Sequence, residues 1–239
     1  MNHKRKTSVA LGIALIVVAG ILSFIVKTAG GSLDVVGTES AVSFEKILTA
    51  SADNVVKEEN AAWSLEAPDQ SVRFQWSGEE NSDRSKDVVL QFDIAPFENA
   101  GLDIAKLPDY YEVNDSVLMV GTKFGDGKSA GQVASTPLEA YEKVLRKSPD
   151  SIGYHTALDH FNVNLGNGNL FEWAKDMQFN RVTKEEQDKD IVFVLNPEPL
   201  IAAGVDPEKV EGWLYTTVNV GMGATEKEVF KFLKPFNLQ

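Results

Sequence analysis

The chain has 239 residues, of which 43% are hydrophobic and 24% are charged, a balance typical of a folded protein rather than a disordered one. It contains no cysteine, which excludes disulfides, thiolate metal sites and a cysteine nucleophile. The net charge is −12, and subtracting the +3 of the first 26 residues leaves −15 for the rest. Phosphate backbones repel so acidic a body, which argues against nucleic-acid binding.

An apolar stretch near the N-terminus predicts a membrane anchor. Residues 9–26 contain one polar side chain, Ser23, and at about 1.5 Å per residue they span roughly 27 Å, close to the hydrocarbon core of a bilayer. The basic residues ahead of it predict a cytoplasmic N-terminus and an extracytoplasmic body. We therefore predict a single-pass cell-membrane protein that contacts the lipid bilayer through residues 9–26. A cleaved leader, which would make the protein secreted, remains the alternative.

The rest of the chain contains three blocks that occur twice in the same order. Residues 44–48 recur at 141–145, and Phe74-Gln75-Trp76 recurs as Phe171-Glu172-Trp173, both at an offset of 97 residues. Residues 96–106 recur at 199–209, at an offset of 103. This order predicts two copies of one structural unit. The predicted segments are a tip and anchor (1–26), a stalk (27–37), copy one (38–124), a linker (125–135) and copy two with a C-terminal helix (136–239).

Each copy reads as helix, hairpin, strand, short helix, strand. The hairpins turn at residues 68–70 and 166–168, and the final helix is predicted over residues 225–233. The first hairpin strands are out of step by one residue, so the offset of 97 fails locally between about residues 55 and 71. The predicted fold class is α+β: an N-terminal transmembrane helix, then an internally duplicated, mainly antiparallel sheet domain with short helices. Face-to-face and edge-to-edge packing of the two sheets both remain open.

The histidines beyond the leader, His155 and His160, flank Asp159. If this stretch is helical, His155 and Asp159 share a face and could bind a divalent metal such as zinc together with His160. The spacing lacks the two-histidine pattern of a zincin, and packing or surface histidines are the competing interpretation.

Other motifs favour structural roles. Residues 125–129 resemble the end of a phosphate-binding loop, but the required first glycine is absent, and a flexible turn fits better. Asparagines 162, 164, 167 and 169, with Glu172, suggest calcium, yet they lack the spacing of a calcium loop. Asp103 and Asp206 fit helix caps better than catalytic acids, and the four tryptophans fit core positions.

These patterns lead to one hypothesis and two rivals. The leading hypothesis is a non-enzymatic, membrane-tethered extracytoplasmic protein that binds an unknown small ligand or envelope protein at or near the seam between the copies. The first rival is a metal-dependent, perhaps hydrolytic, protein that uses His155, Asp159 and His160. The second is a structural spacer or assembly subunit of an envelope complex.

Overall fold

The computed structural model describes residues 33–58, 62–78, 86–122, 133–147, 151–155, 160–175, 191–220 and 225–232. The predicted anchor, residues 9–26, lies outside these ranges. Within them, no helix is both long enough and apolar enough to cross a bilayer.

The described residues form short helices and many strands. In chain order these are α1 (Leu33–Ala50), β1 (Val55–Lys57), β2 (Ala62–Glu66), β3 (Val72–Ser77), β4 (Val88–Asp93), α2 (Ala95–Asn99), β5 (Glu112–Asn114), β6 (Val117–Thr122), α3 (Pro137–Lys147), β7 (Ile152–His155), β8 (His160–Asn164), β9 (Leu170–Ala174), β10 (Ile191–Leu195), α4 (Glu198–Ala202), β11 (Trp213–Val220) and β12 (Thr225–Phe232). We call α1 to β6 the first unit and α3 to β12 the second unit.

The strands form two antiparallel sheets of six strands each. The first sheet has the order β1-β2-β3-β4-β6-β5, and the second, read from β7, has the order β7-β8-β9-β10-β12-β11. Each strand of the first unit therefore has a counterpart at the same place in the second sheet. The fold is mainly β with a few short helices, so the α+β prediction overestimated the helical content.

The β2–β3 and β8–β9 hairpins confirm the predicted slip. Leu65 pairs with Phe74, whereas Val163 pairs with Phe171. The offset is thus 97 residues between β3 and β9 but 98 between β2 and β8. The second turn is one residue shorter, which keeps Leu65 and Val163 on the buried face.

Two local predictions were wrong. The tail predicted as a helix is strand β12, because Phe230 and Phe232 alternate inward into the core while all eight β12 residues pair with β11. Cross-strand pairing thus overrides the weak helical spacing of this segment. The predicted stalk also ends earlier, since α1 already begins at Leu33.

The two sheets enclose one continuous hydrophobic core. At its centre, Phe74 of β3 stacks on Phe171 of β9, with ring centroids 4.0 Å apart and planes 6° apart. Phe44 of α1 stacks on Tyr141 of α3 at 4.2 Å. Each of these residues thus meets its own counterpart, as across a two-fold axis. The sheets pack through their inner faces, which decides against an edge-to-edge arrangement.

The helices that open the two units are exchanged. The main strand contacts of α1 are to β7 and β9 of the second sheet, and those of α3 are to β2 and β3 of the first. Ser43 Oγ of α1 donates hydrogen bonds to the carbonyl oxygens of Ala174 and Lys175. In the reverse direction, Trp76 Nε1 of β3 donates to the Pro137 carbonyl of α3 at 2.9 Å. Each unit therefore closes the core of the other.

The repeated 96–106 and 199–209 blocks meet at a second crossing of the units. The Asp103 N–H donates to the Ala203 carbonyl, and the Asp206 N–H donates to the Ala100 carbonyl, both at 2.8 Å. A Cβ on Gly101 or on Gly204 would lie 2.8 Å from the carbonyl oxygen of the other glycine, and both residues have φ +105°. Only glycine fits this reciprocal contact.

Candidate functional site

The outward face of the first sheet is a polar network. Arg73 of β3 forms ion pairs with Glu66 at 2.6 Å and with Glu58 at 3.2 Å. Ser64 Oγ donates to Glu58 at 2.8 Å, and Gln91 Nε2 donates to Gln75 Oε1 at 3.4 Å. These contacts give the first sheet an ordinary charged exterior.

The outward face of the second sheet is different. Leu170 and Val194 take the register positions that Arg73 and Gln91 occupy in the first sheet. They belong to a second apolar cluster in which every member is at most 8% exposed. Its members, which come from β9, β10, β11 and β12, are Leu170, Val192, Val194, Val218 and Val229.

Polar side chains lie buried beside this cluster. Asn162 of β8 is 5% exposed and pairs in register with Glu172 of β9, which is 7% exposed. Asn162 packs closely against Gly153, since a Cβ at position 153 would lie 2.7 Å from Asn162 Oδ1. His160, the adjacent outward position of β8, is 5% exposed, and Lys231 of β12 is 8% exposed. The equivalent first-sheet positions of His160 and Asn162 hold Ala62 and Ser64.

Two of the three predicted metal-binding positions, 155 and 160, lie at one end of the β7–β8 ladder, in strands rather than in a helix. His155 ends β7 and His160 begins β8, and the two are register partners in the ladder. Strand pairing, rather than a helical turn, therefore brings these two positions together. Asp159 lies outside the described residues, as does the side chain of His155. No group of three or more metal-ligating side chains occurs among the side chains that are described.

The asparagine-rich turn between β8 and β9 has a structural role. Asn169 is fully buried; its Oδ1 accepts from the Asn196 N–H and its Nδ2 donates to the Gly166 carbonyl, both at 3.0 Å. Asn167 has φ +54°, between two glycines that also have positive φ. A Cβ on Gly168 would lie 2.6 Å from the Lys227 ammonium. The asparagines of this turn thus form hydrogen bonds within the chain, and the Lys227 ammonium lies beside the turn at Gly168.

The seam between the units is filled where the structure describes it. Stacked rings occupy its centre and the two glycines close its end. Trp76 and Trp173 are fully buried and Trp213 is 6% exposed, which confirms core positions for these three tryptophans. The described seam therefore offers no exposed aromatic platform for a sugar.

The predicted helix caps are confirmed. Asp103 accepts from the Ala105 N–H and Asp206 accepts from the Glu208 N–H, at the starts of short 3-10 turns. Hydrogen bonds from Lys106 and Lys209, the largest influence in each case, hold the pKa values of these exposed carboxyls below their usual range. Capping accounts for both aspartates.

Strand β11, which ends the second sheet among the described strands, is the other unusual exterior feature. It pairs with β12 through all eight residues, whereas its counterpart β5 pairs with β6 through three. Partial burial, followed by the Glu228 carboxylate, raises the pKa of Tyr215 on this strand to about 12. An acidic group therefore lies close to the edge.

Sequence reasoning missed Lys231 and the joint burial of His160, Asn162 and Glu172 on one face. The available signal was alternation: in β8, polar residues alternate with core residues, and in β9 Glu172 stands between the core aromatics Phe171 and Trp173. That pattern places them on an outward face but does not indicate burial.

Comparisons of the chain with protein-family models, with curated proteins and with solved structures find no match.

Proposed function

We propose that this protein is a membrane-tethered, extracytoplasmic, non-catalytic binding module built from two tandem copies of one unit. The observation that carries the proposal is the contrast between matched interiors and unmatched exteriors. The inward residues of the two units meet as equivalents, while the outward faces differ in charge, with the ion-paired Arg73 in one and aliphatic side chains at the equivalent positions in the other.

The second unit is the half that binds a partner. The apolar cluster and the polar side chains beside it are at most 8% exposed, so a partner would reach this exterior at exposed positions such as Asn164 of β8 and Thr217 of the long edge strand β11. The first unit, with its ion-paired exterior, supplies the other half of the core. Because the described seam is packed, the binding surface lies on the outside of the second unit rather than between the units.

Site-specific photo-crosslinking in the membrane of the native host tests this proposal. A photoreactive residue is placed at Asn164, exposed on the outward face of the second sheet, or at Val56, 38% exposed on that of the first. We expect one protein species to crosslink in fixed ratio from position 164 and not from position 56. Equal crosslinking from both positions, or none from position 164, would contradict a partner surface on the second unit.

A metal site is the second candidate, favoured by the register pairing of His155 with His160. Zinc in proteins takes at least three protein ligands, so Asp159 or Glu172 would have to complete the set. Metal analysis of the purified full chain decides the matter. Stoichiometric zinc that is lost in a His155→Ala/His160→Ala variant would replace the binding-module proposal with a metal-dependent one.

A further inference from the structure

The four edge strands of the two sheets are unequal. Strands β1 and β5 have three residues each and include Lys57 and Glu112, and β7 has four residues. Strand β11 has eight, with the sequence Trp-Leu-Tyr-Thr-Thr-Val-Asn-Val. It contains no charged residue and no proline, although short length, charge and proline are the usual means of preventing strand addition at an edge.

The β11–β12 pair is longer than the equivalent β5–β6 pair of the first unit. In the first unit, the pair Asn114–Val117 is the last before the β5–β6 turn. In the second unit, four further pairs follow the equivalent pair Thr216–Val229. They form a two-stranded ribbon whose outer edge is β11, and Thr217 on this ribbon is exposed.

The two faces of the ribbon have different chemistry. Leu214, Thr216 and Val218 lie on the face that continues the apolar cluster. Their register partners on β12 are Lys231, Val229 and Lys227. On the opposite face, Thr217 pairs with Glu228, and Glu226 lies two residues from Glu228 on the same face of β12. A strand added along β11 would therefore place alternate side chains on a face that combines aliphatic and lysine side chains and on a face that carries the two β12 carboxylates.

The charges around the edge are mostly negative. Glu208 and Glu211, which precede β11, and Glu226 and Glu228, which lie beside it, are all exposed. Of the neighbouring cations, Lys209 is bound to Asp206 at 2.6 Å and Lys231 is 8% exposed. Lys227, the register partner of Val218, is half-buried on the face of β12 opposite to Glu226 and Glu228.

We propose that the edge of β11 binds an extended polypeptide segment with alternating apolar and basic side chains, which adds to the second sheet as a seventh strand. Main-chain hydrogen bonds to the edge supply affinity, and the two faces of the ribbon select the side chains. The acidic surroundings attract basic residues and speed their encounter with the edge. This inference rests on the proposed binding function and assigns it a site and a partner class.

A second copy of this chain fits the same edge less well. Antiparallel pairing of β11 with itself would leave two β11 strands between the β12 strands of the two copies, so Glu226 and Glu228 of one copy would lie about 14 Å from those of the other. The net negative charge of each body is therefore what opposes this pairing. The basic segment faces no such repulsion.

The experiment uses the full chain in detergent and three synthetic eight-residue peptides followed by fluorescence anisotropy. The first alternates valine and lysine, the second alternates valine and glutamate, and the third is the valine–lysine peptide with two valines replaced by proline. We expect binding by the first peptide only. Hydrogen exchange of the complex should be slowed over Trp213–Val220 and unchanged over Glu112–Asn114.

Matched variants locate the site. Thr217→Lys places a positive charge on the proposed edge, and Val113→Lys adds the same charge at an exposed residue of the counterpart strand β5. We expect Thr217→Lys to weaken binding of the valine–lysine peptide about tenfold and Val113→Lys to change it less than about twofold. Glu226→Gln/Glu228→Gln should weaken it as well.

Several outcomes would overturn the inference. Equal binding of the proline peptide would indicate charge attraction without strand pairing. Equal effects of the two lysine variants, or no slowing of hydrogen exchange over β11, would show that the peptide binds elsewhere. A dimer that Thr217→Lys dissociates would assign the edge to a second copy. If a partner still crosslinks from position 164 but the valine–lysine peptide does not bind, only this inference is wrong. If neither crosslinking nor peptide binding is observed, the proposed function is wrong as well.

Discussion

The first and second units agree inside and differ outside. Their strand orders are identical, and Phe74 meets Phe171 as Gly101 meets Gly204. Their exteriors have little in common, since Arg73 and its carboxylates in one sheet correspond to Leu170 and its aliphatic neighbours in the other. A shared core constrains both units at once, while each exterior varies alone. The comparison therefore indicates where to look for function and where to look for stability.

The largest expected effect comes from the centre of the shared core. Phe171→Ala removes a fully buried ring that stacks at 4.0 Å, and we expect a loss of about 3–5 kcal/mol in the free energy of unfolding. Because the core is shared, Phe74→Ala should cost a similar amount, and urea unfolding should show one transition for both units. Two separated transitions would show that the units are independent.

The glycine crossing should be nearly as sensitive. Gly204→Ala forces a Cβ to within 2.8 Å of a carbonyl oxygen at φ +105°, and we expect a loss of about 3 kcal/mol. Gly101→Ala should match it, since each glycine meets the other in the same way. The measurement is urea denaturation of both single variants, and a tolerated alanine at either position would contradict the reciprocal contact.

The two hairpin turns offer a smaller contrast. Asn169→Ala removes a fully buried amide with two hydrogen bonds, which should cost about 2 kcal/mol. In the first unit, the exposed Asp69 accepts from the Ser71 N–H and hydroxyl, and Asp69→Ala should cost less than about 1 kcal/mol. Thermal unfolding of the two variants measures the difference, and equal losses would refute the unequal burial of the turns.

The smallest effect concerns alkaline stability at β11. An acid whose pKa is higher in the folded state contributes stability that is complete below its ordinary value, here 10.0, and is lost as pH rises towards 12. Tyr215→Phe should therefore make the decline in stability above pH 10 shallower. It should not abolish the decline, because burial also raises the pKa values of Tyr111 and Tyr141. An unchanged profile in alkaline denaturation would contradict the prediction.

Local patterns predicted much of this fold. Repeated blocks identified the positions that meet at the centre, and the period-two slip in the first hairpin strand identified its altered register. Residues 225–232 were mistaken for a helix because their spacing suits both structures, and only the partner strand β11 decides between them.

The candidate site was harder to predict, because it depends on pairing between strands distant in the chain. The shared face of His155 and Asp159 depended on a helical stretch, whereas the structure has His155 and His160 as register partners of two strands. The edge position of β11 follows from sheet order, and sheet order is a non-local property. Alternation indicates which residues share a face but not which strand ends the sheet.

The exchanged helices have a consequence for cleavage of the polypeptide. Because α1 packs on the second sheet and α3 packs on the first, a protease that cuts between residues 122 and 133 would produce two fragments. The sheet of each fragment would still pack against the helix of the other. The nicked protein should keep its shape and elute as one species until a denaturant separates the fragments. Covalent continuity between the halves is therefore dispensable once folding is complete.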